Sequence, residues 1–125
     1  MKLTVVLVVL LLSMPLSASE RVTAVPTQFI GNWGSNRANC GEPADDLALR
    51  IQDGRISYID SSGPLKAIVT SGRFDLALIM ELSGEGQTWL TIEKFSLSKD
   101  GTTLTDQLPP KTVRYRCKAR AVRAA

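Results

Sequence analysis

Short runs that alternate apolar and polar residues, separated by two-residue turn signals, recur along this chain and constrain it to β-structure. In "DLALRIQDGRISYID" the pair Asp53-Gly54 suits a type I′ turn, whose two central residues both need positive φ. That loop opposes Ile51 to Ile56 and Leu49 to Tyr58. Leu47, Leu49, Ile51, Ile56 and Tyr58 then share one face, with Arg50, Gln52, Arg55 and Ser57 on the other. In "LKAIVTSGRFDLALIMEL" a turn at Ser71-Gly72 opposes Val69 to Phe74, Ala67 to Leu76 and Leu65 to Leu78. The buried face expected there is Leu65, Val69, Phe74, Leu76, Leu78, Met80 and Leu82, opposite Lys66, Thr70, Arg73, Asp75 and Glu81. "SSGP" at 61–64 reads as the link between the two hairpins, because Pro64 cannot donate to a ladder and Gly63 permits a turn.

Beyond the "SGEGQT" loop, "WLTIEKFSLS" and "TTLTDQ" form a third pair of strands around a turn at "KDG". "LPP" at 108–110 breaks the ladder, and "KTVRYRCK" is the last strand. Alternation puts Val113, Tyr115 and Cys117 on one side of it and Arg114, Arg116 and Lys118 on the other, a basic face read as outward. With a first strand around residues 28–34, about eight short strands follow one another without a crossover helix. The predicted fold is all-β, a small antiparallel up-and-down meander closing into a barrel, since closure removes exposed edges. "WLTIEKFSL" fits two phases. A β-bulge between Ile92 and Lys94 would let Leu90 and Ile92 share the core with Phe95 and Leu97, and is the reading preferred. Otherwise strict alternation turns Thr91 and Glu93 into a polar interior.

"MKLTVVLVVLLLSMPLSASE" combines Lys2, an apolar run from Leu3 to Leu12 and a small-x-small sequence at Ser17-Ala18-Ser19, which is the pattern of a secretory signal peptide over 1–19. The apolar run is shorter than the roughly 20 residues that span a bilayer, so no transmembrane segment is expected after cleavage. Residues 20–125 make a single domain in a periplasmic or secreted setting. Cys40 and Cys117 are the only cysteines, and export makes a disulfide between them the default. In a meander barrel the first and last strands must pair although they are farthest apart in sequence. A Cys40–Cys117 bond would clasp that seam.

Function classes are narrowed mainly by what is missing. The chain contains no histidine, which removes the commonest general base, the usual triads and most zinc sites. Ser96-Leu97-Ser98-Lys99 has the Ser-x-x-Lys spacing but runs from a strand into a turn, and is read as turn chemistry. Asp45 and Asp46 are adjacent, which on a strand sends them to opposite faces. The glycines of "SGEGQT" have neither a Gly-Lys-Ser/Thr nor a following helix to cradle phosphate. No enzymatic activity, cofactor or metal is therefore expected. From Lys111 onward there are six basic residues and no acidic ones, with 119–125 as a basic tail. Only Tyr115 accompanies them as an aromatic, too few for nucleic-acid binding.

"FIGNWG" at 29–34 resembles the Gly-x-Trp signature of the lipocalin and calycin barrels, in which a Trp on the first strand plugs one end beneath a basic residue of the last strand. That resemblance implies such a barrel end for Gly31, Trp33 and one of Arg114, Arg116 or Arg120, with Arg116 the choice made here. "FIGNWG", the following Cys40 and "DGTTLT" at 100–105 are also similar to serralysin-type protease inhibitors, whose N-terminal arm enters the protease cleft; residues 20–28 would be that arm. "DSSGP" and the closing "YRC" are similar to C-type lysozyme inhibitors, which insert a Ser-x-Ser-Gly loop. These resemblances imply a non-enzymatic inhibitor of an envelope hydrolase, a protease or a lysozyme, with Ser61, Ser62, Gly63, Glu85, Gly86 and Trp89 as loop contacts. The alternatives are a lipocalin-like carrier of a small apolar ligand and a surface protein that binds anionic glycan or lipopolysaccharide.

Overall fold

The structure, a computed structural model, describes residues 19–38, 40, 42 and 44–118. The expected leader, Ser19 apart, and the expected tail at 119–125 lie outside the described residues. The strands are β1 (Glu20–Val22), β2 (Gly31–Gly34), β3 (Leu49–Gln52), β4 (Arg55–Tyr58), β5 (Ser62–Ser71), β6 (Asp75–Gly84), β7 (Gln87–Leu97), β8 (Thr103–Asp106) and β9 (Val113–Arg116). From β2 to β9 each strand pairs antiparallel with the next, and β9 returns to β2. The result is the expected all-β meander, a closed eight-strand barrel with β1 added on the outside of the count. The seam between β2 and β9 is short, pairing Trp33 with Arg116 and Gly34 with Tyr115. The Cys40–Cys117 disulfide fastens the β2–β3 loop to that seam across a sequence separation of 77.

The first hairpin has the expected register, with Leu49 opposite Tyr58 and Ile51 opposite Ile56. Its turn is not type I′, because Gly54 takes positive φ (93°) and Asp53 does not. The turn with two left-handed residues is instead Glu85-Gly86, at φ 51° and 76°, which joins β6 to β7.

The second hairpin corrects the expected register. Ser71 pairs with Asp75 across a three-residue turn, so Thr70 opposes Leu76 and Ile68 opposes Leu78. Ile68 is therefore the buried residue, Val69 sits opposite Ala77 on the other face, and Phe74 is exposed in the turn. Alternation alone would send Leu65 and Ile68 to opposite faces. A register shift between Leu65 and Ala67 reconciles them, placing Leu65 opposite Met80. The bulge expected in β7 thus lies in β5. Strand β7 pairs without interruption against β6, from Asp75↔Ser96 to Gly84↔Gln87. Thr91 and Glu93 consequently lie opposite the fully buried Met80 and Leu78 on the inner face, while Leu90 and Ile92 are exposed outside.

Two further expectations change. "SSGP" is not a link, since Ser62, Gly63 and Pro64 open β5 and pair with Ser57, Ile56 and Arg55. Gly63 is buried where a Cβ would stand 1.7 Å from the Glu81 carbonyl oxygen, so the β5–β6 approach requires glycine. Residues 20–28 are not a free arm either. Strand β1 pairs with Ile68–Thr70 of β5, Val25 is buried, and a 3-10 turn at Thr27–Phe29 buries Phe29. The core that this segment completes includes Trp33, Ile51, Ile56, Leu76, Phe95 and Leu104.

Candidate functional site

The two barrel ends differ in chemistry. One is sealed. There Phe29 and Trp33 are almost fully buried, and the Trp33 indole N–H donates to the Phe29 carbonyl at 3.1 Å. Arg116 lies over the indole with its guanidinium carbon 4.2 Å from the ring centroid. Its Nη1 donates to the Ile30 carbonyl at 3.0 Å, its Nε to the Gly101 carbonyl at 3.0 Å, and its Nη2 to the Gln28 carbonyl. Burial lowers the Arg116 pKa from its usual value. Gly31, at φ 142°, leaves room for this arginine, because a Cβ there would meet Nη1 at 3.0 Å. The structure thus brings Gly31, Trp33 and Arg116 together as one plug.

Arg116 faces inward, and the two-residue period takes Arg114 with it. This corrects the outward basic face: Val113 and Tyr115 are the exposed residues of β9, whereas Arg114 is buried. Arg114 Nε donates to the Leu47 carbonyl and Nη1 to Asp106 Oδ1, both at 2.8 Å. Its guanidinium also lies 5.9 Å from the Tyr58 ring centroid. Around this ion pair the inner wall turns polar. Burial, reinforced by the Asp106 carboxylate and opposed by Arg114, raises the Glu93 pKa above the ordinary carboxylate value. Burial likewise raises Asp106, against the pull of Arg114. The Tyr58 phenol is driven up by burial first and by Glu93 second, and its buried hydroxyl has no hydrogen-bond partner among the described residues. Pairing Arg116 with Trp33 in the sequence already implies an inward Arg114, and alternation places Tyr58 on the apolar face of its hairpin; Asp106 carries no comparable signal.

The end opposite the plug carries the β4–β5 and β6–β7 turns. Tyr58 N–H donates to the Ser61 carbonyl at 2.7 Å, folding residues 59–61 into a tight turn. Gly84 of the neighbouring hairpin packs on it so closely that a Cβ there would lie 2.4 Å from the Asp60 carbonyl and 3.3 Å from Ser61 Cβ. The rim therefore unites Ser61 with Glu85, Gly86 and Trp89. Ser62 and Gly63 are excluded from it, being part of the wall. Trp89 is 39% exposed and Ile59 51% exposed, and sequence reasoning missed Ile59. Its only signal was an apolar residue beside the turn.

Among the described residues, no Ser or Thr hydroxyl is hydrogen-bonded to a lysine, and no three metal-ligating side chains cluster. Asp45, one of the adjacent acidic pair, is buried and accepts from the Ser35 and Leu47 amides, bracing the β2–β3 loop. A depression over β2–β4 lined by Asn32, Arg50, Ser57 and Ile59 holds about 190 Å³. A second depression, at the sealed end between Gln28, Arg73, Lys99 and Gly101, holds about 370 Å³, within the range of small-molecule pockets. Among the described residues, no helix is long and apolar enough to cross a membrane. Compared with known proteins, the chain matches no family model, no curated protein and no solved structure.

Proposed function

We propose that this chain is an exported, non-enzymatic binding protein that inhibits an envelope hydrolase by docking the rim of the barrel end opposite the plug onto the enzyme. The observation that carries this reading is the union of two short turns into one braced rim with Ile59 and Trp89 exposed on it. A Trp anchor flanked by an ordered turn is the composition of a binding hot spot. Masking a cleft needs such a rim on a rigid scaffold, and Asp60 and Glu85 add acidic contacts. The secretory leader pattern and the disulfide support a periplasmic or secreted location. The Arg116–Trp33 plug supports the lipocalin-like reading of the barrel.

The test is capture of envelope proteins on the immobilised oxidised protein, with native mass spectrometry of the bound fraction. A stoichiometric hydrolase retained by wild type and lost with Trp89→Ala supports the proposal. Equal retention by Trp89→Ala and Ile59→Lys would refute the rim as the contact. A second reading, a carrier, is favoured by one observation: the Tyr58 hydroxyl is buried without a partner inside the same end. A co-purifying small molecule with no protein partner would select it.

A further inference from the structure

Strand β7 is long, and only its lower part is paired on both sides. Against β6 it pairs along its whole length, from Gln87 to Ser96. Against β8 it pairs only through Phe95, Ser96 and Leu97, and the last main-chain contact on that side is Gln107 N–H to the Lys94 carbonyl at 2.8 Å. Main-chain groups of one residue point to one edge, and the edge alternates along a strand. Lys94 and Ser98 bond toward β8, and Leu97 bonds toward the β5–β6 turn at Phe74. The N–H and C=O of Ile92, Leu90 and Thr88 therefore point to the β8 side, where no described residue meets them. Leu90 is 66% exposed and Ile92 46% exposed on the outer face of this edge. An open, apolar, proline-free edge of this kind is a template for strand pairing.

We propose that the free edge of β7 is an interaction surface for a second copy of this chain, joined antiparallel about a two-fold axis through Leu90. The register follows from parity and charge. With Leu90 opposite the other copy's Leu90, Thr88 falls opposite Ile92, and the three edge-facing residues of each copy exchange about six hydrogen bonds. Shifting the axis to Trp89 or to Thr91 leaves some of these groups unused, and the Trp89 axis sets Glu85 against Glu93. Pairing in the Leu90-centred register stops short of Lys94, whose carbonyl already accepts from Gln107, and leaves the exposed Lys94 side chain at the end of the new ladder toward the exposed Glu85 of the other copy. Cross-strand Leu-Leu and Thr-Ile pairs then join the two outer faces beside Ile79, which is directly opposite Ile92. The self-complementarity of both side chains and charges is what selects a second copy over an unrelated strand.

The test is sedimentation velocity on the oxidised protein purified from the exported fraction, over roughly 5 to 500 µM, the range in which a small interface associates. The expected result is reversible monomer–dimer exchange that weakens at least about tenfold, or ~1.4 kcal/mol, in Leu90→Lys and Leu90→Pro. Leu90→Pro removes an edge-facing N–H without touching the β6 ladder, and Leu90→Lys keeps the backbone intact should the proline variant unfold. Ile59→Lys, on the rim, leaves self-association unchanged, which separates this interface from partner binding. A monomer throughout the range, or dimerisation of both Leu90 variants at wild-type strength, overturns the proposal. Exchange protection of the Leu90 and Ile92 amides in dilute monomer also overturns it, because a segment of the same chain then covers the edge.

Discussion

Replacing Arg116 with alanine should destabilise the barrel by about 3 kcal/mol, and the figure can be assembled from its contacts. The side chain donates to the carbonyls of Ile30, Gly101 and Gln28, which belong to two segments of the closed end, residues 28–30 and the β7–β8 turn. Hydrogen bonds from a charged donor contribute ~1.5–3 kcal/mol each. The low end applies because the residue is only half-buried and water can partly replace it, giving about 4.5 kcal/mol for the three. The stacking on Trp33 at 4.2 Å adds about 1 kcal/mol. Against this stands the cost of desolvating the guanidinium, about 2–3 kcal/mol at half burial. Urea unfolding followed by far-UV circular dichroism measures the difference, and a ~3 kcal/mol loss corresponds to a Tm lower by roughly 15 °C. Arg116→Lys keeps the charge over the indole but cannot reach three carbonyls with one ammonium, so it should recover less than half of the loss. A loss under about 0.5 kcal/mol for alanine, or full recovery by lysine, would refute the plug as described.

Other perturbations test the rest of the barrel. Glu93→Gln should stabilise the protein at neutral pH: a carboxylate whose folded pKa is raised holds its proton more tightly than in the unfolded chain, so its contribution is lost as pH rises through the folded value. The urea midpoints of variant and wild type should therefore diverge as pH rises above the ordinary carboxylate range, and parallel profiles would contradict an inward, half-buried Glu93. Asp100 shows the opposite sign, because hydrogen bonds from Ser98 and Thr102 hold its carboxyl down at about 2, so the order of the β7–β8 turn should fade only in strong acid, as read from the Thr102 amide shift. Gly63→Ala should cost about 3 kcal/mol, since the Glu81 backbone must move to admit the methyl group. Cys40→Ser with Cys117→Ser should cost up to about 4.5 kcal/mol for a loop of this length, seen as a fall in urea midpoint that reductant reproduces in wild type.

Period-two patterning was sufficient for the fold class, for the register of the first hairpin and for the strands that meet at the seam. It failed wherever geometry outside the strand decides the phase. The Leu65–Ile68 spacing needed a bulge that no turn residue announces, and Ser71-Gly72 is compatible with a two- or a three-residue loop. A preference for apolar residues inside the barrel argued for a bulge in β7, yet the ladder to β6 keeps Glu93 within and leaves Leu90 and Ile92 outside. The same preference sent the arginines of β9 outward, although carbonyls at one end and Asp106 at the other can hold them inside. At the candidate site, the sequence supplied Ser61, Glu85, Gly86 and Trp89. It could not show that Gly84 packs one turn on the other, because that contact joins residues of two hairpins through backbone atoms alone.

Docking of another protein on the rim formed by the β4–β5 and β6–β7 turns is tested most directly by hydrogen exchange. Amide exchange of the oxidised protein would be followed at low concentration with and without an extract of envelope proteins. The expected result is slowed exchange at residues 59–61 and 85–86 with β2–β4 unchanged. Unaltered exchange at the rim, or protection confined to another face of the barrel, would contradict the claim.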